Sequence, residues 1–196
     1  YVLIYLRVAK TYSKTNETDT YTINNSIPAK VNAAAAKARK IVANNAGRSD
    51  YEKLCAYKAS ICGLVDYNDD AAQNHPAYGD PWQLIDVFDG DSSTTVVCEG
   101  YSKAFQYLCD LSTFTGDTKA ICVSGNMMIG QNGGGHMWNI VTLNGTRYMA
   151  DITNSDPPGI GAHGGLFLSG YYSHPTTDHY VYYAGETYID YYYDES

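Results

Sequence analysis

Three residues bring together groups that can do covalent chemistry. Cys98 follows Val96-Val97 and stands at the predicted start of a helix. Unpaired amides and the helix dipole favour an anion there, so a thiolate at residue 98 is stabilised. A stabilised thiolate is the form that attacks carbonyl carbon. The bland alternative is a small buried cysteine on the apolar face of that helix. His136 and Asp151 weigh against it. They flank Asn144-Gly145, the strongest short signal for a two-residue hairpin. Antiparallel pairing about that turn sets His136 opposite Thr153 and Asp151 opposite Trp138, one diagonal step from His136. His136, Trp138 and Ile140 then share one strand face, and so do Arg147, Met149, Asp151 and Thr153. A carboxylate orienting an imidazole beside a thiolate is triad geometry with sulfur as the nucleophile.

Local signals say which elements must hold these groups. From Cys98 the apolar positions Tyr101, Phe105, Leu108 and Cys109 keep helical spacing to about Ser112. Before it, Ser26-Ile27-Pro28 opens a helix through the Ala-rich run 29–43, closed by Asn44-Asn45-Ala46-Gly47. Ser49-Asp50-Tyr51-Glu52 is a capping box for a helix to Cys62-Gly63 that buries Leu54, Tyr57 or the Lys58 stem, and Ile61. Residues 64–80 read as a long polar loop, and Asp80-Pro81 starts a short helix to Phe88. Strands are expected at 1–8, Lys119–Val123, His136–Leu143 and Arg147–Thr153. Helices followed by antiparallel strands make an α+β domain. Residues 1–26 read as an N-terminal strand and loop segment, open to continuation from an upstream region, and 27–196 as the domain proper.

Composition removes several function classes. The chain has 13 basic and 21 acidic residues and a net charge of −8, which repels phosphate, so nucleic acid is not an expected partner. No apolar run approaches the ~20 residues of a membrane span. Length and a 44% hydrophobic content fit one domain with a single core. Twenty tyrosines give an amphipathic surface, which points to a secreted or surface-displayed protein meeting polymers. Five cysteines cannot all pair within the chain; Cys109 and Cys122 are candidates for a disulfide if the protein is exported.

No metal or cofactor is expected. His163, His174 and His179 match no metal template. Asp66-Tyr67-Asn68-Asp69-Asp70 begins like a calcium loop but lacks the later Gly and Glu. Gly133-Gly134-Gly135 precedes a strand and no Lys follows, so it is no phosphate loop; residues 130–135 read as a flexible approach to His136.

The stretch Val97-Cys98-Glu99-Gly100-Tyr101-Ser102-Lys103-Ala104-Phe105 resembles the nucleophile motif of the transglutaminase-like superfamily. His136-Met137-Trp138-Asn139 resembles its histidine motif, and Tyr148-Met149-Ala150-Asp151-Ile152-Thr153 its aspartate motif. The resemblance spans about residues 50–180, with Leu166-Phe167-Leu168 and Asp178-His179 agreeing more loosely. The chain differs at Ile152, where the family often has Pro or a small residue, and at Asn154-Ser155-Asp156, where the family has Trp.

The resemblance implies a papain-like α+β core, with the Cys98 helix packed on the sheet of His136 and Asp151. It implies thiol acyl chemistry on amides, either protein cross-linking or peptide hydrolysis, with Cys98, His136 and Asp151 catalytic. The Cys98 amide is one oxyanion donor by position, and the second is Gln83, Trp82 or Tyr78, all upstream as in the family. Gln83 is favoured because a side-chain amide donates directly. Trp138 and Tyr101 are expected to contact substrate. The expected partner is a protein or peptide substrate, including a cell-wall or surface polymer, met as one domain of a larger bacterial protein. A different class of reading is a catalytically silent adhesion or scaffold module that keeps the fold and binds through its tyrosines.

Overall fold

This computed structural model describes Ser13 and residues 24–74, 81–129, 132–156, 166–170, 180–183 and 191–193. The strand expected at 1–8, Asp178 and the three histidines 163, 174 and 179 lie outside them. Helix α1 is Ser26–Asn44, and the Asn24 carboxamide, which accepts from Ser26 N–H at 3.1 Å, serves its start. Helix α2 is Asp50–Cys62 with the expected capping box: Ser49 Oγ accepts from Glu52 N–H, and the Glu52 carboxylate accepts from Ser49 N–H. Such a cap contributes about 1 kcal/mol. Helix α4 is Pro81–Val87 and helix α5 is Cys98–Asp110.

The polar stretch 64–80 is more ordered than a loop. Strand β1 (Asp66–Tyr67) runs parallel to β2 (Thr95–Val96), and α3 (Asp69–Gln73) follows. Asn68 starts that helix by accepting Ala71 N–H at 2.8 Å. The acidic residues that begin like a calcium loop therefore sit on a strand and in a helical first turn, where the dipole favours them.

Among the described residues, six antiparallel strands form the main sheet: β3 (Lys119–Ile129), β4 (Asn132–Leu143), β5 (Thr146–Ala150), β6 (Phe167–Ser169), β7 (Tyr180–Tyr183) and β8 (Tyr191–Tyr193). Their order is β6-β5-β4-β3-β7-β8. Asn144 and Gly145 join β4 to β5 with φ of 52° and 76°, the left-handed pair that matches strand twist in a two-residue turn. Leu143 pairs with Thr146 and Asn139 with Ala150, the expected register.

Strands β3 and β4 run further than expected. Met127 pairs with Gly134 and Met128 with Gly133, so residues 132–135 are strand and not a flexible approach. Low glycine propensity is overridden because β7 pairs with β3 over Asn126–Met128 and extends the ladder.

One face of the sheet, with Ala120, Val141, Leu143 and Ala150, joins the helices around α5. The α5 residues Tyr101, Phe105 and Leu108 are fully buried there, and each such burial contributes ~1.5–3 kcal/mol. Trp138, Ile140, Met149, Leu166 and Tyr182 form a second cluster. No described helix is long and apolar enough to cross a membrane.

Candidate active site

Helix α5 begins at Cys98 because Val97 is extended, with φ −93° and ψ −179°, and the chain turns helical after it. No side chain caps this end, and the Gly100 amide donates to the Val97 carbonyl at 2.9 Å in the first turn. Gly100 makes the docking possible. A Cβ there would lie 2.7 Å from Val96 Cβ and 3.1 Å from the Gln83 carbonyl, so only glycine lets α5 approach β2 and α4 this closely. One turn in, Ser102 Oγ donates to the Met137 carbonyl at 2.8 Å, and Asn139 Nδ2 donates to the Ser102 carbonyl at 3.0 Å. These two bonds lock α5 to β4 beside His136. Gln106 accepts from Cys122 N–H at 2.7 Å and ties the same helix to β3.

Strand β4 presents His136, whose ring lies nearly parallel to Trp138 with centroids 6.2 Å apart. Its Nε2 lies 2.7 Å from Asp151 Oδ2, and both side chains are buried. The Cys98 side chain lies close enough to the ring to help raise the His136 pKa. With Nε2 engaged by Asp151, Nδ1 is the ring nitrogen left for the thiol.

Strand β5 ends earlier than expected, at Ala150. Asp151 starts a turn instead, because its Oδ1 accepts Asn154 N–H at 3.1 Å and its carbonyl accepts from Ser155 N–H and Oγ. The carboxylate thereby swings toward His136.

Electrostatics follow from this packing. Burial alone pushes the His136 imidazolium down, but Asp151 and the Cys98 contact outweigh it and raise the pKa to about 10. Burial likewise favours neutral Asp151, and His136 and Asn154 outweigh that and hold its carboxyl below the usual range. Thiols elsewhere are pushed up by burial: Cys62 to about 12, Cys122 to about 11, and Cys109 upward as well. All five cysteines are free, Cys109 and Cys122 among them.

Cys98 at the start of α5, His136 on β4 and Asp151 just past the end of β5 are thus brought together. The fold is α+β, with helices packed on an antiparallel sheet. No protein-family model matches the chain, and no curated protein does. Among solved structures it is similar to a transglutaminase, at 15% identity and a TM-score of 0.48, over 85% of this chain and 39% of that one. It is also similar to a candidate cysteine protease from Cytophaga hutchinsonii, at 14% identity and a TM-score of 0.46, over 83% of this chain and 52% of that one. The chain thus spans about half or less of each.

Gln83 stands beside Cys98. Its Oε1 accepts Val97 N–H at 3.0 Å, which leaves Nε2 as its donor one residue from Cys98. Trp82 is half-buried on the same helix, with the Lys30 ammonium 5.8 Å from its ring centroid. Tyr78 lies outside the described residues.

Two expected substrate contacts are corrected. Tyr101 is fully buried, and its hydroxyl donates to Asp156 Oδ2 at 2.7 Å, so it ties α5 to the 152–156 turn. Trp138 is also fully buried, between the His136 and Tyr182 rings. Neither presents a face to substrate. Sequence reasoning missed Ser102, Asn139, Asn154 and Tyr182. Ser102 and Asn139 lie inside the quoted motifs and were available as polar residues on otherwise apolar elements; Tyr182 stood among many tyrosines without a distinguishing signal. No group of three or more His, Cys, Asp or Glu among the described residues is placed to hold a metal.

Proposed function

We propose that this chain carries out thiol-dependent acyl chemistry on amides, with Cys98 as nucleophile, His136 as acid and base, and Asp151 as the orienting carboxylate. One observation carries the reading: Cys98 opens an uncapped 13-residue helix against an imidazole whose other nitrogen lies 2.7 Å from a buried carboxylate. The Cys98 thiolate adds to an amide carbonyl and forms a C–S bond. The Cys98 amide and Gln83 Nε2 are the proposed donors to the resulting oxyanion. As the C–N bond breaks, the His136 imidazolium gives its proton to the departing nitrogen and a thioester remains. His136 then takes a proton from water or an amine, which adds to the thioester and expels the Cys98 thiolate. Water yields an acid; an amine yields a new amide.

The substrate class is a protein or peptide, with surface polymers included, and the extracellular setting rests on the tyrosine-rich composition. The test supplies a glutamine-containing peptide and a labelled primary amine. Transglutaminase chemistry releases ammonia, whereas peptide hydrolysis releases a new amino terminus. Either product is expected, and both are lost in Cys98→Ala. A scaffold module would yield neither product and would bind its ligand equally well with Cys98→Ala.

A further inference from the structure

Two side chains outside the expected constellation grip Asp151. Asn154 Nδ2 donates to Oδ2 at 2.7 Å, and the Tyr182 hydroxyl donates to the same oxygen at 2.8 Å. His136 Nε2 shares it at 2.7 Å. Oδ2 therefore accepts from three directions, while Oδ1 accepts Asn154 N–H. The carboxylate has no contact with solvent, so these donors must replace water around its charge. Tyr182 is itself aimed by packing: its ring is fully buried and meets Trp138 edge-on, with centroids 5.1 Å apart. Asn154 is likewise fixed, three residues into the turn that Asp151 starts, with Nδ2 also 3.2 Å from Met127 Sδ.

We propose that Asn154 and Tyr182 are positioning residues that keep Asp151 ionised and aim its Oδ2 at His136, so that strand β7 completes the site. This rests on the acyl-transfer reading of Cys98, His136 and Asp151. A buried carboxyl prefers to be neutral unless donors favour its charged form. Once protonated, it no longer offers His136 a negative acceptor, and the imidazolium loses both partner and orientation. The titratable groups around Asp151 among the described residues are few. His136 meets it from β4 and Tyr182 from β7, while Cys98 lies beyond the imidazole at the start of α5. Asp156, on the same turn, accepts from Tyr101 instead. Removing one donor therefore raises the pH at which Asp151 takes up a proton.

The test measures the rate of Cys98 alkylation by iodoacetamide against pH in the full chain, with the labelled residue located by mass spectrometry. Tyr182→Phe keeps the ring packing and deletes the donor. Its acidic limb is expected to move up by about one pH unit, and further in the double variant with Asn154→Ala. A purely structural role would lower the urea midpoint and leave the limb in place. An activated wild-type Cys98 with an unmoved limb in folded Tyr182→Phe overturns the positioning role alone. Should Tyr182→Phe fail to fold, Asn154→Ala carries the same comparison. A wild-type Cys98 no more reactive than Cys55 sinks the acyl-transfer reading and this proposal with it.

Discussion

His136 Nε2 and Asp151 Oδ2 stand 2.7 Å apart, although the pairing of their strands ends one residue before Asp151. The β4–β5 ladder closes at Asn139 and Ala150. Continued pairing would set Asp151 squarely opposite Trp138. The turn at 151–155 frees the carboxylate from the pleat, and two further donors, Asn154 and Tyr182, hold the oxygen that meets the imidazole. A strand end is thus where this acid is best placed to meet its base.

Limiting iodoacetamide near neutral pH should label Cys98 before the other four thiols. Cys62, Cys109 and Cys122 are held protonated by burial, which leaves Cys55 as the control. Peptide mapping checks this, and equal labelling of Cys55 and Cys98 would refute it. Asp151→Asn should fold yet lower the Cys98 rate by about 10²-fold or more, because an amide can hold the wrong imidazole tautomer.

Turnover on an amide should fall above about pH 10, where His136 loses the proton that the leaving nitrogen needs. Alkylation by iodoacetamide needs no proton donor and should not fall there. The two profiles measured side by side separate acid catalysis from nucleophilicity. The sign for stability agrees. The raised His136 contributes fully below its unfolded pKa of about 6.5 and loses that contribution as pH rises through about 10.

Gly100→Ala should destabilise the domain by ~1–3 kcal/mol, because the new methyl meets Val96 at 2.7 Å and the Gln83 backbone at 3.1 Å. The start of α5 must shift, so the Cys98 alkylation rate should drop with the urea midpoint. Gly47→Ala meets nothing within 4 Å and is the control expected to change neither.

Asp50 anchors the loop between α5 and β3, accepting from the Thr115 and Gly116 amides and the Thr118 hydroxyl. Burial alone would raise its pKa, but these donors hold the carboxyl below its ordinary value. Its contribution is therefore present above the unfolded carboxylate pKa of about 4 and lost as pH falls through the lower folded value. Asp50→Ala should cost ~3 kcal/mol at neutral pH and less in acid, read from urea unfolding at both.

Much of this arrangement was legible from neighbours in sequence. The capping box of α2, the apolar stripe of α5 and the Asn144-Gly145 turn are set by local backbone chemistry, and the turn carried the β4–β5 register with it. That register is why His136 and Asp151 were expected together. Tertiary structure decided the rest. Tyr101 and Trp138 read as substrate contacts by their place in the motifs, yet a hydroxyl partner 55 residues away and a ring from β7 bury them. Gly133-Gly134-Gly135 read as flexible, yet they are strand, because pairing with β3 outweighs their own weak preference. Tyr182 reaches Asp151 from 31 residues away, and Ser102 reaches Met137 across 35. Local propensity acts over a turn or two of chain, whereas a buried polar group takes its donors from whatever element the core brings within hydrogen-bond distance.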